Sequence, residues 1–315
     1  MMGGISMNGT MDATIFYANA KFLLTGEYLV LQGARALALP LQLGQELEFV
    51  PSKIDTNRLT WSALKPDGMW FETVLEKSTL RVLSSTDVDK AQRLASILSA
   101  LRQMNDKPFI GNDLHFTTRL GFDPEWGLGS SSTLIANLAR WAQVDPYQLL
   151  KMTFGGSGYD IACAMAKGPI LYQIVDGQPT SREVAFQPSF SNRLFFVYQG
   201  QKQSSAKEIG KFKANAMRLE KEIEAVNAIT DAMMHPLDFE TFCQHLTEHE
   251  SILAHCLSRE PLQKRFPDFE GVVKSLGAWG GDFFLAASRW HSEEIRRYFS
   301  ARGHRIIRAY DELVL

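Results

Sequence analysis

Polar and apolar residues alternate from Gln45 to Val50, the period of a half-buried strand. Shorter apolar runs at Thr14–Tyr17 and Phe22–Leu24 predict two further strands. Leu114, Phe116 and Thr118 share one face of a strand over Asp113–Arg119. Between Asp87 and Met104 the period changes. Val88, Ala91, Leu94, Ala95, Leu98 and Leu101 recur at helical spacing, with Ser85 or Thr86 as the expected cap. Pro169–Val175 and Arg193–Tyr198 read as strands separated by the polar segment Asp176–Arg182. Beyond Gly200 the pattern predicts long helices over Ser204–Met233 and Leu237–Leu257, the latter ended around Pro261. Strands at Asp282–Ala287 and His304–Ala309 flank a helix at Ser292–Phe299. The expected organisation is a loose leader at residues 1–11 and domains at 12–183 and 184–315. Both domains are α+β layers rather than a regular βαβ series.

Composition narrows the function. The 315 residues are 45% hydrophobic and 22% charged, with net charge −2, so no general pull toward nucleic acid or an anionic membrane is expected. An anionic substrate must be met by locally placed charges. Cys163, Cys243 and Cys256 are too few and too widely spaced for a zinc site, which predicts reduced thiols and a cytoplasmic protein. No apolar run approaches the ~18 residues of a membrane span, and the first residues lack the pattern of a signal peptide. A small-molecule partner is expected, with monomer and homodimer both open.

Glycine and serine cluster where chemistry is expected. Trp126-Gly127-Leu128-Gly129-Ser130-Ser131-Ser132-Thr133 runs straight into an apolar helix. Such a stretch is either a turn with a capped helix or an anion site, in which close-approaching N–H groups, hydroxyls and the helix dipole meet a phosphate. It is neither a P-loop nor a dinucleotide fingerprint, and the protein-kinase motifs are missing. Asp160 follows Gly155-Gly156-Ser157-Gly158-Tyr159, where it serves as a helix cap or as a carboxylate ready to take a hydroxyl proton. Lys21 opens Lys-Phe-Leu-Leu-Thr-Gly-Glu-Tyr, in which Glu27 and Tyr28 would by default be exposed. A last glycine-rich segment is Lys274-Ser-Leu-Gly-Ala-Trp-Gly-Gly-Asp282.

These four segments, in this order, resemble the motifs of the GHMP kinases, a superfamily that includes galactokinase, homoserine kinase, mevalonate kinase and phosphomevalonate kinase. The resemblance covers roughly residues 14–290. It implies an N-terminal domain like the second domain of ribosomal protein S5 and a ferredoxin-like C-terminal domain, with ATP and an acceptor alcohol meeting between them. By matching positions, Gly127, Leu128, Gly129, Ser130, Ser131 and Ser132 would wrap the ATP phosphates, and Ser131 would reach Mg²⁺. Asp160 would be the catalytic base and Lys21 the neighbouring cation. Glu27, Ser157 and Gly158 would line the acceptor site, as would Gly277, Ala278, Gly280 and Gly281.

The motifs Gly-Ser-Gly-Tyr-Asp and Gly-Ala-Trp-Gly-Gly-Asp look most similar to those of phosphomevalonate kinase. The segment Tyr198–Ser205 resembles another of that enzyme, putting Ser204 and Ser205 at a helix start beside Lys202 and Lys207, where an anionic head could bind. The implied activity is phosphoryl transfer to phosphomevalonate or mevalonate. Another small alcohol or sugar as acceptor, or a metabolite sensor of the same fold, are the alternatives. Three positions depart from the resemblance. Trp126 stands where a small residue is usual, Trp279 interrupts the glycine run, and Leu149 replaces the Mg²⁺-binding Glu of mevalonate kinases, with only neutral Gln148 beside it.

Overall fold

The computed structural model describes residues 13–200, 208, 210, 212, 219–279 and 282–315. Two sheets organise them. The first has eight strands: β1 (Thr14–Leu23), β2 (Ala36–Pro51), β3 (Arg58–Lys65), β4 (Gly68–Glu76), β5 (Val82–Ser85), β6 (Leu114–Leu120), β7 (Ile170–Val175) and β8 (Gln178–Glu183). Their order is β5-β4-β3-β6-β2-β7-β8, with β1 paired to β2 off that path. Only the β3–β6 pairing in this sheet is parallel. The second sheet holds β9 (Leu194–Tyr198), β10 (Gly271–Ser275), β11 (Phe283–Ser288) and β12 (Ile307–Ala309), in the antiparallel order β10-β11-β9-β12.

Several expectations change. The run at Thr14–Tyr17 and the start of the run at Phe22–Leu24 belong to one continuous strand, joined through Ala18 and Ala20, which are buried although Ile15 and Tyr17 before them are exposed. The polar stretch after β7 is not a linker. It contains β8, an edge strand with mostly exposed side chains, so no apolar alternation marks it. Helix α1 (Val88–Met104) is capped by neither Ser85 nor Thr86. Asp87 fills that role, accepting from the Lys90 N–H at 3.0 Å. Val88 faces solvent, and the buried face is Ala91, Leu94, Ile97, Leu98, Ala100 and Leu101. Of the helix expected over Ser204–Met233, the continuous described part is α5 (Glu220–Ala232), with Glu208, Gly210 and Phe212 helical ahead of it; Lys202, Ser204, Ser205 and Lys207 lie outside the described residues.

The remaining helices that shape the site are α2 (Ser130–Ala142), α3 (Pro146–Thr153), α4 (Tyr159–Met165) and α6 (Phe239–Cys256). Helices α2 and α4 both pack against β1. The two sheets share apolar packing. Phe22, Leu37 and Leu39 of the first form one cluster with Leu194, Phe196, Phe283 and Leu285 of the second. Phe22 stacks on Phe196 with centroids 4.4 Å apart, a contact of the kind that dominates core energetics.

Candidate active site

An irregularity where β1 meets β2 starts the site. The register shifts between Asn19 and Lys21, with three residues of β2 (Leu41, Gln42 and Leu43) opposite Ala20 alone, so that Lys21 faces Pro40. The Lys21 N–H donates to the Leu128 carbonyl at 3.2 Å, and its Nζ donates to the Gly127 carbonyl at 3.3 Å. One lysine thereby ties the first strand to the glycine loop.

The loop has no room for side chains. Gly127 and Gly129 both sit at positive φ, +70° and +99°. A Cβ on Gly127 would lie 2.4 Å from the Asp282 carboxyl carbon, and one on Gly129 would lie 2.8 Å from Ser132 Oγ. Gly129 is the N-cap of α2, and no side chain caps this helix. The simple capped-turn reading therefore fails, and the first-turn amides face the loop without a capping acceptor. Ser131 is exposed there and Ser130 half-buried. Ser132 is turned inward: its hydroxyl donates to the Gly129 carbonyl at 2.9 Å and lies against Asp160. Leu128 is buried, so its side chain anchors the loop and leaves its backbone for binding.

Asp160 is not a cap either. Gly158, at φ +88°, caps α4, and Asp160 is the second helical residue. Burial raises its carboxyl above the usual range, and the Lys21 charge opposes that shift. Burial works against the Lys21 charge as well. Tyr159, Asp160 and Asp282 outweigh it and hold the ammonium above the ordinary lysine range. The Lys21 Nζ also lies 5.6 Å from the centroid of the Tyr159 ring. The result is a half-buried cation facing two carboxylates at the mouth of an uncapped helix.

Beside this cation opens a small, half-open cavity. Lys21, Glu27, Tyr28, Ser157 and Tyr159 form its polar wall, and Gly277 and Ala278 approach from the second sheet. Leu23, Val30 and Leu31 supply its apolar side. Glu27 and Tyr28 are buried, contrary to the default for such a pair, at 1% and 7% exposure. Glu27 is ion-paired with Lys274 at 2.5 Å, and burial pushes its carboxyl up to about 7 against that pairing. Gly158 is buried next to the Tyr147 ring, and the Ser157 carbonyl accepts from the Tyr172 hydroxyl. Gly280 and Gly281 lie outside the described residues.

The departures resolve by direction. Trp126 packs edge-on to Phe283, with centroids 6.0 Å apart, and joins the core shared by the two sheets. Trp279 adopts φ +48° with its indole buried among Tyr28, Phe212 and Leu253, and its carbonyl accepts from Arg259 at 2.7 Å. Leu149 is fully buried in the core and Gln148 is exposed on α3. Among the described residues no cluster of three or more His, Cys, Asp or Glu could hold a metal. The glycine loop, with its open helix end, fits the phosphates of ATP. A Mg²⁺ ion accompanying them would rely on phosphate oxygens, water and the exposed Ser131 hydroxyl, in keeping with its preference for retaining waters.

Asp282, Lys274 and His249 are site residues that sequence reading did not single out. Asp282 and Lys274 stand at the ends of a recognised glycine segment, which was a usable signal. His249 sits on the face of α6 with no motif around it.

No family model and no curated protein matches the chain. Solved structures do. A mevalonate kinase from Methanococcus jannaschii is similar at 16% identity and TM-score 0.70, over 95% of this chain and 99% of that one. The phosphomevalonate kinase of Streptococcus pneumoniae, in complex with phosphomevalonate and AMPPNP, is similar at 16% identity and TM-score 0.68, over 94% and 99%. The galactokinase of Lactococcus lactis, complexed with galactose, is similar at 9% identity and TM-score 0.60, over 93% and 89%. The chain has the two-sheet α+β fold of the GHMP kinases.

Proposed function

We propose that the protein is an ATP-dependent kinase that transfers the γ-phosphoryl group to a mevalonate-pathway acid, phosphomevalonate or mevalonate. The observation that carries this reading is Lys21, held between the glycine loop and Asp160 on the wall of the cavity. Phosphoryl transfer asks for positioning and charge neutralisation more than for covalent chemistry. Residues 127–132 cradle the phosphates through backbone donors, and the exposed Ser131 hydroxyl would be the group to reach Mg²⁺. Mg²⁺, when bound, would offset phosphate charge. Asp160 takes the proton of an acceptor hydroxyl, and Lys21 keeps that carboxylate ionised while neutralising charge on the transferring group.

On this reading residues 12–183 form the nucleotide-binding domain, and residues 184–315 close the acceptor side through Gly277 and Ala278. Ser204 and Ser205 are proposed to receive the acid head of the acceptor. The phosphomevalonate and AMPPNP bound in a similar fold support the choice of ligands. The three free cysteines support a reducing, cytoplasmic setting. Among the described residues no helix is long and apolar enough to cross a membrane.

The test is turnover with Mg·ATP and each of mevalonate, phosphomevalonate, galactose and homoserine. Product from a mevalonate compound is expected. Turnover of the sugar or the amino acid alone would refute the acceptor, and ligand binding with no turnover of any acceptor would favour a sensor.

A further inference from the structure

A buried polar cluster joins three distant parts of the chain behind the cavity. Glu27 follows β1, His249 and Glu250 lie on α6, and Lys274 and Ser275 end β10. Lys274 and His249 are fully buried, and Glu27 and Glu250 are 1% and 2% exposed. Lys274 Nζ donates to Glu27 Oε1 at 2.5 Å and to the Ser275 carbonyl at 2.8 Å. The Gly26 N–H donates to His249 Nε2 at 2.9 Å. That bond fixes the tautomer, because Nε2 must accept and the ring proton must sit on Nδ1. His249 Nε2 lies 3.5 Å from Glu27 Oε2 but has no proton to offer it. Burial holds this imidazole well below its ordinary range, hence neutral. The Glu250 carboxylate accepts from the N–H groups of Leu262 and Ser275 and from the Ser275 hydroxyl.

Three polar atoms are left over here. Glu27 Oε2, Tyr28 Oη and His249 Nδ1 are buried with no hydrogen-bond partner among the described residues, and of these side chains Glu27 and Tyr28 line the cavity. A buried acceptor left this way costs about 1–3 kcal/mol, and a ligand hydroxyl would supply the missing donor. We propose that Lys274 is a positioning residue that keeps Glu27 ionised and oriented, so that Oε2 accepts a hydroxyl of the acceptor in the cavity. This rests on the kinase reading above. The pair spans 247 residues and both sheets, so the subsite exists only where the two halves of the chain meet.

A pH dependence follows. The groups facing the Glu27 carboxylate are Lys274, His249, Glu250 and Tyr28. Burial pushes Glu27 up to about 7, Lys274 pulls it down, and Glu250 adds to the rise. Acceptor binding therefore strengthens as pH rises through about 7 and Glu27 ionises. Removing an adjacent opposite charge moves a carboxyl up by about 1–3 units.

The experiment is titration calorimetry of the full chain with mevalonate from pH 6 to 9. Phosphomevalonate replaces it if only that compound binds, its own titration cancelling against wild type. Lys274→Met is expected to lower affinity at pH 7 about tenfold and to recover most of it at pH 9. Lys274→Arg should keep the wild-type profile, and Glu27→Gln should remove the pH dependence. An unchanged profile in folded Lys274→Met overturns the proposal, as does a Glu27→Gln profile like that of wild type. If Lys274→Met does not fold, Glu27→Gln and Lys274→Arg decide. Binding of neither compound by the wild type overturns the acceptor class and this role together, a result distinct because it needs no variant.

Discussion

Asp160 and the three loop serines differ in environment more than in chemistry, and that difference makes them separable. Asp160→Asn keeps the size of the side chain but cannot accept a proton. It is expected to lower kcat by roughly 10²–10⁴ with little change in ATP affinity, measured by steady-state kinetics and nucleotide titration. Near wild-type turnover would return Asp160 to a structural role. Ser131 is exposed at the helix mouth, whereas the Ser132 hydroxyl is held by Gly129 and Asp160. Ser131→Ala should raise the KM for Mg·ATP. Ser132→Ala should instead move the acidic limb of the kcat profile upward, because Asp160 loses an adjacent hydroxyl that favours its ionised form. Identical effects in the two variants would refute the distinction. The serine types were legible along the chain; which hydroxyl turns inward was not, since that depends on a carboxylate arriving from α4.

At the scale of elements, the glycine loop works because it is emptied of side chains from two directions. Gly127→Ala would place a Cβ against the Asp282 carboxylate at φ +70°. It is expected to weaken Mg·ATP binding at least tenfold. Gly155→Ala is the control: its φ is +67°, but nothing lies within 4 Å of the added Cβ. That variant should lose about 1–2 kcal/mol of stability, the usual cost of a left-handed side chain, with ATP affinity intact. Nucleotide titration and thermal melts check both, and equal ATP affinities would show that Gly127 serves backbone geometry alone. Helix α1 makes a plainer case. Asp87→Ala removes its cap and should cost about 1 kcal/mol in denaturant titration, with activity unchanged.

The whole molecule behaves as one packing unit in spite of its two sheets. Phe22 and Phe196 stack across the boundary, and the buried Glu27–Lys274 pair crosses it again. Calorimetry is expected to show a single unfolding transition, and residues 13–183 expressed alone should not give a cooperative melt. Two resolved transitions, or a stable fragment, would refute that coupling. Phe22→Ala should cost about 3–5 kcal/mol by opening a cavity in the shared core, a loss read from the shift of that one transition.

By itself the sequence determined the strands with clear alternation, the amphipathic face of α1, the order of four glycine-rich segments and the chemical types at Lys21, Asp160 and Ser131. These are local properties: periodicity, turn-forming residues and small side chains announce themselves within a few positions. It did not mark β8, whose exposed face carries no apolar signal, nor His249, whose role depends on a distant Gly26 amide. Trp126 and Trp279 looked like obstructions in one dimension, yet their rings pack away from the loop into apolar clusters built by other elements. Only the tertiary structure set Lys274 against Glu27 and Asp282 close to Lys21. The free energy of a buried charge depends on what faces it, and what faces it here comes from the other end of the chain.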